Sequence, residues 1–266
     1  MGSKASSGAG CRACRGQAVA PEFTMAFQPI VDLSTGGVYA HEALVRPVGG
    51  GGAREILEQI TELNRYAFDQ ACRVKAITLA ARLGMQSLLS INFLPNAVYQ
   101  PAACIRATLD AAERSKFPLD RIIFEVTEAE PSRDPGHLAG IFAEYKRHGM
   151  LTAIDDFGAG HSGLNLLAQF QPDIIKIDMA LTRNIHSDRT RQVIVRSIAT
   201  MCAQLGVSLI AEGIESADEA HCLRDLGIQR FQGYYFARPE IECLPTVRDL
   251  AHFMSGESLE LRLLGA

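Results

Sequence analysis

The stretch LTAIDDFGAGHSG, residues 151–163, joins a strand-like apolar run to two adjacent acids and a glycine-rich loop. It opens with the apolar run LTAI, typical of a partly buried strand, and this run ends in two adjacent carboxylates, Asp155 and Asp156. A loop with three glycines follows. Neighbouring carboxylates repel each other and are costly to bury unless an opposite charge compensates them. Because a surface turn can have the same composition, the meaning of the stretch depends on the rest of the chain.

Apolar runs of strand length recur along the sequence. Helical patterns separate most of them, for example over 54–84, 137–149 and 189–206, and several of these patterns end at a glycine, as helices commonly do. The first two runs are joined by the turn DLSTGG, residues 32–37, which favours an antiparallel pair. The later runs alternate with helices, which indicates parallel strands with right-handed crossovers. The predicted strands are residues 25–31, 37–45, 87–93, 121–126, 151–155, 173–178, 207–213 and 228–236.

This order of elements predicts an α/β protein. Roughly eight strands in about 240 residues suit a TIM-type (β/α)₈ barrel with an antiparallel first strand, and an open doubly wound sheet is the alternative. Residues 1–23, rich in Gly, Ala and Ser, are predicted to be a flexible tail, a linker or an expression remnant. Residues 24–258 would form the domain, with a closing helix in 240–254, and residues 259–266 a C-terminal tail.

The composition excludes several classes of protein. The 266 residues are 47% hydrophobic and 21% charged, with a formal net charge of −4, as in ordinary globular domains. A weakly acidic chain lacks the clustered cations that bind nucleic acid polymers, so we expect no such partner. No apolar run reaches the ~18 residues of a membrane span, and we expect no membrane contact from this segment. Neither a G-x-G-x-x-G after a strand nor a phosphate-binding loop motif occurs.

The seven cysteines favour a cytoplasmic location. Their count is odd and their spacing irregular, which argues against a disulfide framework and for a reducing compartment. Cys11 and Cys14 form a C-x-x-C motif, but a zinc site would need a second such pair, and the sequence has none. We therefore interpret these two cysteines as part of the tail.

Polar residues lie inside or at the ends of the predicted strands, roughly one strand–helix unit apart. If the strands are parallel, their C-terminal ends meet at one mouth of the barrel, where such folds carry their chemistry. Each residue alone fits a surface group, an ion pair or a cap, but their repetition at strand ends favours a shared site. These residues are Glu42, Asn92, Glu125, Glu128, Asp155, Asp156, Lys176, Asp178, Glu212, Glu215 and Gln232.

The chemistry that suits such a cluster is divalent metal binding. Several carboxylates near one another are prohibitively costly to bury without cations, and Lys176 alone cannot balance them. Hard divalent ions prefer oxygen ligands, and two ions ~3.5–4 Å apart form the clamp used in phosphate-ester hydrolysis. Adjacent Asp155 and Asp156 are then compensated, and the glycines let the loop turn sharply over the site.

The same residues resemble the EAL domain family, the bacterial phosphodiesterases of the second messenger cyclic di-GMP. The motif that names the family is Glu42-Ala43-Leu44, and the resemblance runs from about Phe27 to Pro239. It implies a TIM-type barrel with an antiparallel first strand and hydrolysis of cyclic di-GMP to linear pGpG with two Mg²⁺ or Mn²⁺ ions. The matching motifs are QPIVDL, EALVRP, INFLP, EVTE, DDFGAGHSGL, KID, AEGIE and QGYYFARP.

The resemblance also implies roles for individual residues. Lys176 would orient or help to deprotonate the attacking water, with Glu42 and Glu212 as further catalytic residues. Glu128 would steady the loop that follows Asp156, and in the family that loop, here 157–164, takes part in dimer contacts. The implied metal ligands are Glu42, Asn92, Glu125, Asp155, Asp156 and Glu212. The implied substrate-binding residues are Gln28, Arg46, Glu215 and Gln232.

Two other functions compete with the phosphodiesterase. Some members of the family have lost these acids and only bind the same ligand, but every expected carboxylate, the Asn and the Lys are present here. An unrelated enzyme with Lys176 as a Schiff base would need a lowered lysine pKa, which surrounding acids would raise instead. We expect a homodimer, and attachment to sensor domains in a longer protein.

Overall fold

The structure, a computed structural model, describes residues 21–98, 100–127, 135–160, 163–247 and 250. Cys11, Cys14, Glu128 and most of both predicted tails lie outside these residues, so the predictions made for them stay predictions. The strands are β1 Thr24–Asp32, β2 Gly37–Arg46, β3 Leu88–Asn92, β4 Ile122–Thr127, β5 Leu151–Phe157, β6 Ile174–Ile177, β7 Ser208–Ala211, β8 Arg230–Gln232 and β9 Glu240–Ile241. The helices are α1 Arg54–Leu57, α2 Arg65–Arg82, α3 Pro101–Cys104, α4 Arg106–Ser115, α5 Pro135–Arg147, α6 Gly163–Gln169, α7 Met179–Thr182, α8 Arg189–Leu205 and α9 Ala217–Asp225.

Eight strands close into a barrel. Strands β2 to β8 are parallel neighbours in chain order, and β1 pairs antiparallel with both β2 and β8. In β1, Gln28 pairs with Glu42 of β2, and Ile30 pairs with Gln232 of β8. The TIM-type barrel with an antiparallel first strand is therefore confirmed, and the open doubly wound sheet is wrong because the sheet has closed on itself.

A plug of apolar side chains fills the barrel interior below the C-terminal ends of the parallel strands. Side chains alternate between the two faces of a strand, so residues two positions apart face the same side. Ile123 thus shares the interior face of β4 with Glu125, and Ile174 shares that of β6 with Lys176. The plug supports a polar layer directly above it. Its members are at most 1% exposed, and they are Ile30, Ala40, Ile123, Ala153, Ile174 and Ile210.

The predicted helix over 54–84 is two helices, α1 and α2. The Asn64 side chain accepts a hydrogen bond from the backbone N–H of Thr61 (2.7 Å) and donates one to the carbonyl of Gln59 (3.0 Å). These local bonds offer the backbone an alternative to helical hydrogen bonding, which explains the interruption. Helix α8, by contrast, ends as predicted, with Gly206 as its C-cap. The φ of Gly206 is 69°, a conformation that glycine adopts without steric cost.

The predicted closing helix over 240–254 is wrong in its described part. Residues Glu240 and Ile241 form β9, which pairs with Phe27 and Ala26 of β1. The short strand β8 reaches only Ile30 to Asp32 of β1, so β9 satisfies backbone groups that β8 leaves unpaired. Pro245 then opposes helix formation because it lacks a backbone N–H.

Helices cover the outside of the barrel. One large apolar cluster lies between the strands and α2, α4 and α5, and a second one includes residues of α8 and α9. Phe23, just before β1, is buried and contacts Phe68 of α2 edge-on, with 5.3 Å between ring centroids. Within the described part of the chain, no helix combines the length and apolar character needed to cross a membrane.

Candidate metal centre at the barrel mouth

The polar side chains predicted from the sequence lie together above the apolar plug. They lie on the interior face of the barrel near the ends of the strands. Each is two positions along its strand from a residue of the plug, or from a residue that pairs with the plug. Closure of the barrel brings residues from distant parts of the chain within hydrogen-bonding distance. The layer comprises Gln28, Glu42, Asn92, Glu125, Asp155, Lys176, Glu212 and Gln232.

Lys176 is at the centre of this layer and is fully buried. Its Nζ lies 2.8 Å from Glu212 Oε1, 2.9 Å from Glu125 Oε2, 3.2 Å from Asp155 Oδ1 and 3.3 Å from Glu42 Oε2. Strands β2, β4 and β5 and the residue directly after β7 thus direct carboxylates at one ammonium group. Asp178, two residues after Lys176, caps α7 by accepting a hydrogen bond from Ala180 N (2.8 Å).

Two side-chain amides hold Glu42 in place. Asn92 Nδ2 donates to Glu42 Oε1 (2.7 Å), and Gln232 Nε2 donates to Glu42 Oε2 (2.7 Å). The same Gln232 nitrogen lies 3.2 Å from Gln28 Oε1, and Gln28 Nε2 donates to the carbonyl of Ala237. This network aligns the glutamate that names the motif. Because Asn92 uses its nitrogen here, its Oδ1 is the atom that could bind a cation.

Asp155 and Asp156 are brought to the same side by an unusual backbone conformation. Asp156 has a φ of 54°, in the left-handed region that aspartate tolerates better than most residues. The Asp155 carboxylate accepts a hydrogen bond from the Asp156 backbone N–H at 2.9 Å. This turn is what lets two consecutive acids of β5 both reach the mouth.

The acids form two overlapping groups that could each hold a metal ion. Glu42, Glu125 and Asp155 offer oxygens within 4.8 Å of one another, and so do Asp155, Asp156 and Glu212. Asp155 belongs to both groups. The donor set is entirely oxygen, which suits Mg²⁺ or Mn²⁺ rather than a thiolate-preferring metal.

The electrostatics fit a site in which the carboxylates outnumber the single positive charge of Lys176. Burial, together with Glu42 and Asp155, raises the pKa of Glu125 to about 8 despite the presence of Lys176. Burial and Asp155 raise the pKa of Asp156 to about 6, and the same causes raise that of Glu212 well above its usual range. Burial lowers the Lys176 pKa, but the surrounding carboxylates raise it by more. The carboxylates therefore repel one another, and divalent cations would remove that repulsion.

A cavity of about 340 Å³ opens above the metal-binding groups. Glu215 lines it and pairs with Arg183 (2.5 Å), while Arg46 at the end of β2 donates to the Val45 carbonyl (2.7 Å) and does not line it. Sequence analysis did not identify Arg183, because nothing in the sequence indicates that an arginine so far from Glu215 along the chain pairs with it. Further lining residues that it left without a role are Asp178, Met179, Gly213, Gly233 and Tyr234.

Ser90 is another residue that sequence analysis did not identify. It is buried on β3 two positions before Asn92, and its hydroxyl donates a hydrogen bond to Glu125 Oε1. A serine within an apolar run is easily taken for a neutral filler. Its inward orientation, which the alternation with Asn92 predicts, was the available signal.

The fold and the site together define a TIM-type barrel with an oxygen-lined metal-binding mouth. The sequence model of the EAL domain family matches residues 12–239, which is most of the chain. The protein belongs to the EAL domain family.

Two solved structures and two curated relatives are similar to the chain. A standalone versatile EAL protein of Vibrio cholerae O395, solved bound to cyclic di-GMP, is 50% identical with a TM-score of 0.85, over 91% of this chain and 100% of that one. Klebsiella pneumoniae BlrP1, solved with manganese and cyclic di-GMP, is 37% identical with a TM-score of 0.79, over 83% and 56%. The blue light- and temperature-regulated antirepressor BluF of Escherichia coli K12 is 32% identical over 84% of this chain and 55% of its own. The probable cyclic di-GMP phosphodiesterase PdeN of the same organism is 29% identical over 82% and 43%. The chain thus spans about half the length of these curated relatives.

Proposed function

We propose that this protein is a phosphodiesterase that hydrolyses cyclic di-GMP to linear pGpG with two Mg²⁺ or Mn²⁺ ions. The observation that carries the proposal is that two clusters of three acidic residues, which share Asp155, lie at the mouth of the barrel. Solved relatives that hold cyclic di-GMP, one of them with manganese, support the choice of ligand and metal. PdeN, named a probable phosphodiesterase of the same dinucleotide, supports the choice of reaction.

Metal binding and activation of the attacking water would be carried out by different residues of the barrel mouth. Glu42, Asn92, Glu125, Asp155, Asp156 and Glu212 would hold the two ions. Bound divalent cations supply charge stabilisation to a phosphate ester and a water of lowered pKa. Lys176, in contact with four of the carboxylates, would keep them in register and orient the attacking water or help to deprotonate it, beside Glu42 and Glu212.

Substrate binding would use the cavity above these acids. Gln28, Glu215 and Gln232 line it and would contact the dinucleotide. Arg46 would release the Val45 carbonyl and turn to a phosphate, which its forked guanidinium suits. Glu128 would steady the loop that follows Asp156.

Incubation with cyclic di-GMP and Mg²⁺, followed by chromatography for pGpG, tests the proposal. We expect product with Mg²⁺ and none with a chelator. Glu42→Gln should lower kcat by more than about 100-fold, because it removes a carboxylate that would bind a metal ion and that also contacts Lys176. The matched variant Glu58→Gln changes an exposed glutamate of the α1 region and should retain full activity. Full Mg²⁺-dependent activity in Glu42→Gln would contradict the assignment.

A cyclic di-GMP receptor without turnover is the second candidate. BluF, a relative of similar identity, is named an antirepressor rather than an enzyme, which favours this alternative. Titration of the ligand in Ca²⁺ and in Mg²⁺, with product analysis, separates the two functions. A receptor would bind under both ions and form no pGpG under either.

We also propose that the protein is a homodimer through the face formed by α6, α8 and residues 158–160, which follow β5. Leu164, Val193 and Ile194 are 64%, 48% and 41% exposed there, beside a cavity of about 580 Å³ with apolar walls. Exposed apolar surface of this kind marks interaction sites. Ile194→Glu should give a monomer by sedimentation velocity, whereas Val48→Glu, at another exposed valine, should not. A wild-type protein that sediments as a monomer at all concentrations would contradict the proposal.

The cellular setting is a proposal as well. We place the domain in the cytoplasm, because the irregular spacing of the cysteines argues against a disulfide framework. We also place it within a longer signalling protein that carries sensor domains. The greater length of BluF and PdeN supports the second point. Mass determination of the endogenous protein from cell extract would test it.

A further inference from the structure

A buried ion pair lies outside the barrel, behind the candidate metal centre. Arg73 on α2 is fully buried, and Asp69, one helical turn earlier, is 2% exposed. Arg73 Nη2 lies 2.7 Å from Asp69 Oδ2, and Arg73 Nη1 donates to the Tyr145 hydroxyl of α5 at 2.7 Å. Neither residue touches the reacting atoms of the proposed phosphodiesterase, so the pair needs another explanation.

Stability alone does not account for this pair. Removing two charges from water is costly, and replacing a buried ion pair by apolar residues of similar volume is often neutral or stabilising. Helix α2 already buries Phe68, Ile77 and other apolar side chains against the same cluster. The charge–charge contact between Asp69 and Arg73 therefore does not by itself explain why these residues occupy the core.

The contacts of Arg73 point to the strands that carry two proposed metal ligands. Its guanidinium carbon lies 5.4 Å from the ring centroid of Phe93 and 5.1 Å from that of Phe124. Phe93 follows Asn92 on the chain, and Phe124 precedes Glu125. Because side chains alternate, the phenylalanines face outward where the two ligands face the mouth. Arg73 thus contacts the outer face of both strands beside the ligand positions.

Asp69 fixes the same region through the backbone. Its Oδ1 accepts a hydrogen bond from the N–H of Leu94 at 2.9 Å, two residues after Asn92. One residue earlier, the N–H of Phe93 donates to the carbonyl of Glu125 at 3.0 Å. Asn92 and Glu125 are themselves paired in register between β3 and β4. Asp69 therefore holds the backbone just beyond β3, next to the register pair of Asn92 and Glu125.

We propose that Asp69 and Arg73 are positioning residues that hold Asn92 and Glu125 in the geometry that binds a divalent cation. The inference rests on the proposed metal centre. The pair acts through the ends of β3 and β4, and it touches neither metal nor substrate. Outer partners of metal ligands typically change affinity by about 10- to 100-fold when they are removed. Because this pair acts one layer further out, we expect a change of about tenfold.

The test is Mn²⁺ binding by isothermal titration calorimetry without substrate, on folded protein below its melting temperature. Asp69→Asn and Arg73→Met should each bind Mn²⁺ about tenfold more weakly than the wild type. In activity assays, the metal concentration at half-maximal rate should rise, while kcat at saturating Mn²⁺ should change much less.

Two further variants separate positioning from general stability. Leu223→Ala opens a cavity on α9 at a fully buried residue of the other cluster, so it should destabilise the fold and bind Mn²⁺ as the wild type does. The double variant Asp69→Leu, Arg73→Met removes both buried charges together, so that neither is left unpaired, and it should fold. It should nevertheless keep the tenfold loss of Mn²⁺ affinity.

Wild-type Mn²⁺ affinity in Asp69→Asn, Arg73→Met and the double variant would overturn the inference and leave the proposed function intact. An equal loss in Leu223→Ala would also overturn it, because the effect would then follow stability. A wild-type protein that binds no Mn²⁺ would overturn the metal centre and this inference together.

Discussion

Replacing Lys176 by methionine removes a buried positive charge that four carboxylates share. The four Nζ–O distances lie between 2.8 and 3.3 Å, and the lysine is fully buried. Breaking a buried ion pair by removing one partner costs about 3–5 kcal/mol, and the four contacts do not add because they share one charge. We take about 4 kcal/mol for the metal-free protein at pH 8. In a domain of this size that loss lowers Tm by about 8–16 °C.

Divalent cations should reverse most of this loss. A cation held by Glu42, Glu125 and Asp155 restores positive charge to the carboxylates that Lys176 neutralised. A ligand that binds only the folded state stabilises it by mass action, and it stabilises most where the repulsion it relieves is greatest. Mn²⁺ should therefore raise the Tm of Lys176→Met by more than it raises the Tm of the wild type.

Differential scanning calorimetry in chelator and in Mn²⁺ measures both effects. The matched control is Lys146→Met, because Lys146 pairs with Asp173 at 3.1 Å with side chains 39% and 31% exposed. Such an exposed pair contributes at most about 1 kcal/mol, or a shift of about 4 °C or less. The reasoning fails if metal-free Lys176→Met melts with the wild type, or if Mn²⁺ stabilises both proteins equally.

Three further predictions concern the mouth. Gly233→Ala should cost about 3 kcal/mol in urea unfolding, because its Cβ would lie 2.1 Å from the Ile214 carbonyl oxygen. Gly140→Ala on α5, where an added Cβ would meet nothing within 4 Å outside the local helix backbone, should stabilise by about 0.5–1 kcal/mol. Equal effects would be inconsistent with the packing described. Arg183→Met should leave the Tm nearly unchanged, because its pair with Glu215 is exposed to solvent. It should raise the KM for cyclic di-GMP severalfold, because it frees Glu215 in the cavity wall, and an unchanged KM would argue against a substrate role for Glu215. Chelation of Mn²⁺ present at 100 times its Kd should lower wild-type stability by about 2.7 kcal/mol, and an unaltered melting curve would speak against a metal centre.

The barrel and the members of its polar layer were predictable from the sequence for a common physical reason. Buried strands read as apolar runs, so an acid such as Glu125 within IIFEVT or a lysine such as Lys176 within IIKI stands out against its neighbours. The repeat of one such residue per strand indicates which face they share. What remained open was distance, which only barrel closure determines.

Features that depend on tertiary packing or on local polar competition were not predictable. Asn64 interrupts the helix through hydrogen bonds with Thr61 and Gln59. The spacing of apolar residues, from which the helix was predicted, gives no information about such bonds. The pair Asp69 and Arg73 has the ordinary four-residue spacing of an exposed helical ion pair, and its burial depends on α5 and on the ends of two strands.

Anomalous diffraction at the manganese edge, from crystals grown with Mn²⁺, tests the central claim most directly. We predict two peaks at the barrel mouth about 3.5–4 Å apart, both within coordination distance of Asp155, one beside Glu42 and Glu125 and the other beside Asp156 and Glu212. No peak at the mouth, or peaks only away from these carboxylates, would contradict the account.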